Sequence, residues 1–442
     1  MEQKAEEKAA IKVAYKKRIA DALLQDLLES CGAVLVRGSK WCGKTTTAEQ
    51  AAGSVVYMAD PEEGLRNVQY AQSSPKFFLQ GATPRLIDEW QVVPRLWDAV
   101  RFEVDHRRDV GQFILTGSAV PVNSDQIIHS GIGRIAPMTM RPMSLFESED
   151  SSGEVSIAQL FDAPEQIAGS AKIDIDRLAF LICRGGWPFA LGRPTERTAL
   201  NQAKLYYNGV VGYGNGEESD ISRADNVRRD PERVARLMRS LSRHQGSQAT
   251  LSTIRQDMLA NDSDSLDEDT VAAYISALKK IFVVEDMPAW NPNLRSKTAI
   301  RTADTRYFVD ASIATAALGL GPKDLLRDLN TFGLLFETMA VRDLRVYAEA
   351  QEGQVYHYRD KNNLECDAVI HLRNGHYGLV EIKLGGDDNI ESGVKTLLSL
   401  ASKIDTDRMP APSFMMVLVG LGRYAYRRTD GVYVVPIGCL KH

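Results

Sequence analysis

The stretch that most constrains the fold of this chain is AVLVRGSKWCGKTTTAEQ, residues 33–50. A short apolar run leads to Gly38, and Gly43, Lys44 and Thr45 follow four residues later, before a helix-compatible run. This is the pattern G-x-x-x-x-G-K-T in the context that it requires, between a strand and a helix. The glycines let backbone N–H groups surround phosphate oxygens, and the helix N-terminus adds a favourable dipole. The segment therefore predicts an α/β domain with a phosphate-binding loop.

Each residue type in this loop has a defined use when ATP and Mg²⁺ bind. Lys44 is expected to reach the β- and γ-phosphates, and the Thr45 hydroxyl is expected to ligate Mg²⁺. ATP and Mg²⁺ are therefore the predicted cofactors. The predicted nucleotide contacts are the whole loop and the first helical residues: Gly38, Ser39, Lys40, Trp41, Cys42, Gly43, Lys44, Thr45 and Thr46.

Hydrolysis of ATP also requires acidic groups at a nearby strand end, and the segment PRLIDEWQ provides them. Leu86 and Ile87 are predicted to form a short buried strand that ends in Asp88 and Glu89. Asp88 is expected to hold Mg²⁺ through its water shell, and Glu89 to orient or deprotonate the attacking water. An ordinary solvated strand end could have the same two acidic residues, but the phosphate-binding loop upstream favours the catalytic interpretation.

Further polar side chains are candidates for the same site. The strand QFILTGS ends in residues 116–118, where a polar side chain would lie between the two nucleotide-binding strands and position the water. Downstream, GIGRIAPMTMRPMSLFE contains Arg134 and Arg141. An arginine that reaches the γ-phosphate, often from a neighbouring subunit, stabilises the charge of the transition state. An ordinary surface arginine is the alternative for each.

The segments GSKWCGKT, LIDEWQ, ILTGS and GR…RPMSLFE together resemble a large prokaryotic family of AAA-type ATPases. In that family the ATPase module precedes a C-terminal module known as domain of unknown function 4143. The resemblance continues through RGGWPFAL, NVRRDPERVARLMRSLSR and ECDAVI…VEIK, so it covers almost the whole chain. It implies an ATPase that binds ATP through residues 38–45, Asp88 and Glu89, with Ser118 as a sensor. It also implies that Arg184, in a helical lid, is a second phosphate-sensing arginine.

Composition and cysteine usage are typical of a multidomain protein in a reducing compartment. The 442 residues exceed one ordinary core, and 44% apolar with 25% charged residues is typical of globular proteins. The net charge of -5 argues against a dedicated polyanion binder. The charged N-terminal segment is unlike a signal peptide and no run is apolar enough to span a membrane, so a cytoplasmic location is expected. The cysteines are scattered, which argues against zinc and disulfides: Cys31, Cys42, Cys183, Cys366 and Cys439.

Changes in pattern divide the chain into four predicted domains. Residues 1–147 are predicted to form the AAA-type ATPase α/β core. Residues 148–222, which open with the polar linker SEDSSGEVS, are predicted to form its helical lid. Residues 223–312 are predicted to be a winged helix-turn-helix domain, because three amphipathic helices precede a β-rich stretch. Residues 313–442 are predicted to form a restriction-endonuclease-like α/β module.

The predicted winged helix suggests DNA binding, but its charges disagree with that function. The third helix would read the bases, yet it opens in the acidic segment DSDSLDED, which DNA phosphates would repel. Ser265 and Glu268 have the spacing of a capping box at its start. Non-specific contact with the DNA backbone, or packing between domains, is favoured over sequence-specific reading. The basic side chains lie mostly on the first helix: Arg228, Arg229, Arg233, Arg236, Arg239 and Arg243.

The C-terminal module contains the residue types of a metal-dependent nuclease. The pattern of a helical Glu, an Asp and Glu-x-Lys is matched by Glu337, Asp367, Glu381 and Lys383. Asp367 and Glu381 are candidate Mg²⁺ ligands, and Lys383 would stabilise the nucleophile or the developing charge. A solvated strand face in an inactive interaction module is the alternative. The nearby histidines, His357, His371 and His376, have no metal-site spacing.

Asp367 and Glu381 are predicted to lie on two neighbouring strands joined by a turn. The length of that turn determines whether the two carboxylates point to the same face of the sheet. A two-residue loop at residues 374–375 would place Asp367 and Glu381 on opposite faces. A three-residue loop at 374–376, with Gly375 in the left-handed conformation, would place Asp367 opposite Lys383 and on the same face as Glu381. Only the second register gathers the apolar residues on one face, so the pattern predicts an odd-length loop or an equivalent bulge, with Glu337 near the cluster.

Two functions follow from these predictions. The first is an ATP-driven ring, expected to be a homohexamer, that acts on or binds DNA, including branched DNA, through a nuclease-like C-terminal module. The second is a nucleotide-controlled switch or scaffold that binds protein partners and has an inactive C-terminal module. The complete four-residue pattern favours the first function, and the acidic net charge favours the second.

Overall fold

The computed structural model describes residues 15–118, 130–213, 219–259, 266–295 and 300–442. Strands β1 to β5 pair in parallel in the order β2-β3-β4-β1-β5. Neighbouring strand residues point into different cores, as Val34 and Ala33 do, so helices cover both faces of the sheet. The elements are α1 (Ile19–Ser30), β1 (Ala33–Arg37), α2 (Lys44–Ala51), β2 (Ser54–Tyr57), α3 (Gly64–Ser73), α4 (Pro75–Phe78), β3 (Arg85–Asp88), α5 (Leu96–Arg107), β4 (Phe113–Gly117) and β5 (Ile135–Thr139).

The order of these strands brings the predicted ATP-site residues to one edge of the sheet. Strand β4 lies between β1 and β3, and Thr116 pairs with Val36 on one side and Asp88 on the other. Because all the strands are parallel, their carboxyl ends meet at one edge. The prediction that the strand ending TGS lies between the two nucleotide-binding strands is confirmed.

A run of helices follows the ATPase core and shares one hydrophobic core with the C-terminal sheet. This core extends from Leu145 to Leu440, so the predicted boundaries after residues 222 and 312 fall inside it. Its elements are β6 (Val155–Ser156), α6 (Ile157–Asp162), β7 (Gly169–Ser170), α7 (Ile175–Arg184), α8 (Pro188–Leu191), α9 (Glu196–Val211), α10 (Asp220–Arg223), α11 (Pro231–Arg243), α12 (Leu251–Leu259), α13 (Glu268–Lys280), β8 (Val284–Met287), β9 (Thr305–Phe308), α14 (Ala311–Leu318) and α15 (Pro322–Leu325).

The polar segment that begins at residue 148 is a packed junction, and its prediction as a linker is wrong. Ser151 is buried, and its hydroxyl donates to the carbonyl of Leu440 at 2.7 Å. Strand β6 pairs in parallel with a short C-terminal strand at residues 440–441. The segment therefore fastens the ATPase core to the end of the chain.

Three helices and an antiparallel strand pair, α11 to α13 with β8 and β9, occur in the order expected for a winged helix. The assignment to that fold stays a prediction. Helix α13 begins after Asp267, whose carboxylate accepts the N–H of Thr270 at 2.7 Å. Asp267 therefore takes the capping role that the spacing predicted for Ser265, which lies outside the described residues. Asp267 and the two acidic residues after it are exposed.

The C-terminal part has the predicted order of a helix, three strands, a helix and a strand. Its sheet has the strand order β10-β11-β12-β13-β15-β14-β7, and buried side chains cover both faces. The restriction-endonuclease-like assignment itself stays a prediction. The elements are α16 (Leu329–Glu349), β10 (Gly353–Arg359), β11 (Glu365–Leu372), β12 (Tyr377–Lys383), α17 (Asp387–Lys403), β13 (Phe414–Val419), β14 (Tyr424–Arg427), β15 (Tyr433–Pro436) and β16 (Leu440–Lys441).

The hairpin between β11 and β12 has an odd-length loop, as predicted, but at a different position. Ala368 pairs with Val380 and His371 with Tyr377, so the three loop residues are 373–375, and the predicted loop at 374–376 is wrong by one residue. Gly375 has φ +88°, the left-handed conformation that was expected. The predicted segregation of side chains between two faces is confirmed.

Among the described residues, no helix combines the length and apolar character needed to cross a membrane. The structure describes all five cysteines as free thiols, of which Cys31 alone is partly exposed.

Candidate nucleotide site and carboxylate cluster

The phosphate-binding loop has the backbone that its glycines predict. Gly38 has φ +153°, and a Cβ there would lie 2.0 Å from the carbonyl oxygen of Met140, so only glycine fits. Gly43 has φ +102° and directly precedes helix α2. The Lys44 ammonium lies within the loop and donates to the carbonyls of Gly38 at 3.0 Å and Ser39 at 2.8 Å. A phosphate would provide this buried cation with anionic oxygens in place of the carbonyls.

Asp88 joins the loop to the strand ends. One of its carboxylate oxygens accepts hydrogen bonds from the hydroxyls of Thr45 and Thr116, each at 2.6 Å. A hydroxyl and a carboxylate side by side are the oxygen donors that Mg²⁺ prefers, so Thr45 and Asp88 fit the cation that accompanies ATP. Thr116 was predicted only as part of a polar strand end, and its contact with Asp88 depends on strand order.

Glu89 faces a cavity of about 740 Å³ between the loop and the helices after residue 175. Its backbone is left-handed, with φ 56°, a conformation that is strained for a residue other than glycine and that often occurs at functional sites. Burial raises the pKa of the Glu89 carboxyl, and the nearby Lys44 opposes this rise. The residues that line the cavity are Lys40, Trp41, Gly43, Lys44, Thr45, Thr46, Glu89, Ser118, Pro188, Phe189, Gln202 and Leu205.

Some predicted contacts lie outside this cavity. The Cys42 thiol is buried and points to the carbonyl of Met140 at 3.4 Å, so the Cys42 side chain does not line it. Gly38 and Ser39 line a smaller cavity of about 260 Å³ beside Arg141. The side chains of Pro188, Phe189, Gln202 and Leu205 form the facing wall, and the sequence provided no signal for their role beyond the helical lid.

Arg134 lies at the opposite edge of the sheet from the phosphate-binding loop. It directly precedes β5, whose first residue pairs with Ala33, so about 16 Å of strand separates it from the loop of its own chain. Its guanidinium is half exposed and forms an ion pair with Asp105 at 2.9 Å. An interaction with its own γ-phosphate is therefore excluded in this conformation, and only a role in a neighbouring copy stays open.

Arg141 and Arg184 already have carboxylate partners within the chain, and their roles at the phosphate stay predictions. Arg141 is buried and forms ion pairs with Glu285 at 2.6 Å and Glu349 at 2.7 Å. Arg184 is also buried and bonds to Asp150 at 2.8 Å. Because each guanidinium pairs with carboxylates from other segments, both arginines join parts of the chain that are distant in sequence.

The C-terminal carboxylates and lysine converge as predicted. Lys383 bonds to Asp367 at 3.0 Å and to Glu381 at 2.6 Å. Burial, and secondly Asp367, raise the pKa of Glu381 and of Glu337, each to about 8. No group of three His, Cys, Asp or Glu side chains within the described ranges is arranged to hold a metal ion. The cluster is thus a lysine bound by two carboxylates.

Two residues of the middle region cover this cluster, and sequence reasoning missed both. The Tyr307 hydroxyl donates to Glu337 at 2.7 Å. A Cβ on Gly246 would lie 2.4 Å from the same Glu337 oxygen, so a glycine lets this loop approach the carboxylate. The histidines His357, His371 and His376 contribute no ligand to it; His357, for example, contacts the carbonyl of Ala303 at 3.0 Å.

The arginines of the predicted first winged-helix segment do not form one basic surface. Arg229 is buried and pairs with Asp225 at 2.6 Å, and Arg243 pairs with Asp257 at 2.6 Å. Arg228 and Arg239 are exposed. Since acidic partners compensate at least two of the six charges, this segment offers phosphates less positive charge than the sequence alone suggests.

Known protein families match three successive parts of the chain. They are an AAA domain at residues 31–149, domain of unknown function DUF8612 at 175–324 and domain of unknown function DUF4143 at 332–440. The uncharacterized proteins Rv2008c of Mycobacterium tuberculosis and Mb2031c of Mycobacterium bovis are each 22% identical over 423 residues, which cover 95% of this chain and 83% of each relative.

Two solved structures are distantly similar. The Walker-type ATPase PABY2304 of Pyrococcus abyssi has a TM-score of 0.42 and 15% identity, over 70% of this chain and 97% of that one. Drosophila ORC bound to DNA has a TM-score of 0.19 and 15% identity, over 72% and 91%. Both TM-scores are too low to support a conclusion.

The fold and the loop geometry define a P-loop ATPase. The family matches make the assignment specific: the chain is an AAA-type ATPase with a C-terminal DUF4143 domain. The resemblance noted in the sequence is thereby confirmed.

Replacing Lys44 by alanine should greatly weaken nucleotide binding, because the loop would lose the buried ammonium that lines the cavity described above. A charge-assisted bond contributes up to about 3 kcal/mol, so we expect ATP affinity to fall by roughly a hundredfold. Equilibrium binding of a fluorescent ATP analogue measures this. Lys76→Ala, on an exposed helix, is the matched control. Unchanged affinity in Lys44→Ala would refute the assignment of the loop.

Proposed function

We propose that this protein is an ATP-hydrolysing switch, in which the nucleotide between the loop and the facing helices controls how the rest of the chain engages a partner. The observation that carries the proposal is the direct contact between the loop and those helices. Lys40 forms an ion pair with Asp220, and the Trp41 ring meets the Tyr206 ring edge-on at 5.7 Å. A change in the loop therefore alters contacts with α9 and α10.

The contacts continue from Tyr206 into the shared core. The Tyr206 ring stacks on Trp187 at 4.3 Å, and the Trp187 indole donates to Ser312 at 2.9 Å. Ser312 donates to Asp310 at 2.6 Å, and Asp310 forms a buried ion pair with Arg342 at 2.7 Å. These packed contacts supply a physical connection from the nucleotide to the C-terminal helix α16.

The chemistry at the nucleotide follows from the side chains present. Lys44 would bind the phosphates, and Thr45 and Asp88 would hold Mg²⁺, which neutralises phosphate charge when it is bound. Glu89 would orient the attacking water and take its proton, and the cavity wall from Pro188 to Leu205 would exclude bulk solvent.

Hydrogen exchange tests the switch. We expect the backbone amide hydrogens of residues 196–211 and of α16 to exchange at different rates when ADP is bound and when a non-hydrolysable ATP analogue is bound. Asp220→Ala, which lies outside the nucleotide cavity, should retain nucleotide binding and reduce this difference, because it removes the ion pair with Lys40. Identical protection of α16 in both nucleotide states would refute the switch while leaving ATP hydrolysis unaffected.

A second candidate function, action on DNA, is favoured by the gathering of Asp367, Glu381 and Lys383 on one face. The discriminating measurement is ATP hydrolysis with duplex, forked and single-stranded DNA, together with a cleavage assay in Mg²⁺ or Mn²⁺. Stimulation by one form of DNA, or cleavage that Asp367→Asn abolishes, supports this function. Indifference to every form of DNA favours the switch.

Arg134 should act across subunits, with a hexameric ring as the expected assembly. The side chain of Ile132, two residues before it, is 82% exposed, as expected of a surface that another copy covers. Arg134→Ala should fold normally and lose at least about a hundredfold in ATP hydrolysis. Mixing it with Lys44→Ala protein should restore activity, because intact loops would meet intact arginines. Mixtures without any rescue would contradict the role in trans.

A further inference from the structure

The amide of Gln91 contacts the candidate catalytic carboxylate directly. After β3 the chain forms a tight turn at Trp90–Val92, closed by a bond from the Val92 N–H to the Glu89 carbonyl at 3.1 Å. This turn brings the Gln91 side chain back over Glu89, and the Gln91 amide N–H donates to the Glu89 carboxylate. The contact joins two side chains of one turn, so it depends on local backbone geometry.

Two neighbours fix this amide in place. A Cβ on Gly117, at the end of β4, would lie 2.6 Å from the Gln91 amide oxygen, so glycine is needed there for the amide to fit. The Trp90 ring is buried and packs against the Trp97 ring with centroids 5.2 Å apart, which anchors the turn. The amide is therefore confined between Glu89 and the end of β4 at Gly117.

We infer that Gln91 is the positioning residue that aims the Glu89 carboxylate at the attacking water, an inference that rests on the proposed ATP hydrolysis. A freely rotating glutamate would sample many rotamers, and a displacement of about 1 Å from the productive geometry can cost a hundredfold in rate. The bond from Gln91 restricts those rotamers before the nucleotide arrives.

The readout that separates a positioning role from a merely structural one is the split between kcat and KM. A residue that only supports the loop should change ATP binding together with the chemical step. A misplaced Glu89 carboxylate should instead lower kcat and leave ATP binding unchanged.

The experiment compares Gln91→Met, which keeps the length of the side chain and removes the donor, with Gln91→Ala. The matched control is Gln25→Met, because Gln25 makes the same amide-to-carboxylate bond to Glu29 at 2.7 Å on the exposed face of α1. For each protein, kcat and KM for ATP are measured at neutral pH, and binding of a fluorescent ATP analogue is measured in parallel.

Both Gln91 variants should bind ATP like the wild type and lose roughly ten- to a hundredfold in kcat. Gln25→Met should match the wild type in both respects. Wild-type kcat in Gln91→Met would overturn the inference and leave the ATPase standing. A wild-type protein that binds ATP without hydrolysing it would overturn the proposed hydrolysis and this inference with it.

Discussion

Glu89→Gln should bind ATP with wild-type affinity and hydrolyse it at least about a hundredfold more slowly, because proton transfer to a positioned base contributes 10²- to 10⁴-fold. The substitution keeps the size of the side chain, and Lys44, Thr45 and Asp88 remain to bind the phosphates and Mg²⁺. Burial raises the pKa of the Glu89 carboxyl. Wild-type hydrolysis should consequently decline as the pH falls towards that pKa.

ATP hydrolysis is measured as phosphate release under single-turnover conditions, and ATP binding is measured in parallel with a fluorescent ATP analogue. Glu29→Gln, on the exposed face of α1, is a control for the loss of a carboxylate. Normal turnover in Glu89→Gln would show that another group activates the water. A loss of binding would instead show that Glu89 supports the loop.

The nucleotide site was largely predictable because most of it is contiguous in sequence. The loop fixes its own backbone through Gly38 and Gly43, and Asp88 and Glu89 follow directly from a short apolar strand. The facing wall from Pro188 to Leu205 was not predictable at the level of residues. Its position depends on how helices more than 140 residues away pack against the loop.

The arginines show why contacts between residues that are far apart in sequence could not be predicted. Arg141 lies in a segment where a phosphate contact was expected, but its carboxylate partners are 144 and 208 residues away. A guanidinium compensates a phosphate or a buried carboxylate equally well. Only the tertiary fold decides which of the two it meets.

The hairpin between β11 and β12 shows what an alternating pattern of apolar and polar residues can and cannot predict. Alternation of apolar and polar residues determines the face to which each side chain points, because one slipped residue would reverse every face. A shift of the strand pairing by two residues leaves every side chain on the same face of the sheet. The pattern therefore predicted correctly that Asp367, Glu381 and Lys383 share a face, and it could not distinguish the observed loop at 373–375 from the expected loop at 374–376.

A network of buried charges around Arg342 joins four segments of the chain. Arg342 forms ion pairs with Asp310 and Asp343, each at 2.7 Å, and all three side chains are almost completely buried. Asp343 also accepts the N–H of Leu145, and Asp310 accepts the N–H of Gly186, each at 2.9 Å. The network thus links the end of the ATPase core, the turn after α7, the middle region and α16.

Arg342→Met should lower the free energy of unfolding by about 3–5 kcal/mol, because removing one partner leaves two buried carboxylates without a counter-charge. Urea unfolding followed by tryptophan fluorescence measures this, since Trp187 lies beside the network. The matched control is Arg327→Met, whose exposed ion pair with Asp324 should contribute less than about 1 kcal/mol.

The loss of stability should also depend on pH in a defined direction. Burial already raises the pKa of Asp343 to about 6 against the opposing charge of Arg342. Without Arg342 the pKa of Asp343 should rise further in the folded state, while in the unfolded chain it stays near about 3.9. The folded variant then binds more protons than the unfolded one, so its stability rises as the pH falls. We expect Arg342→Met to be less destabilising at mildly acidic than at mildly alkaline pH, and an equal loss at both would show that lost packing, not unpaired charge, causes it.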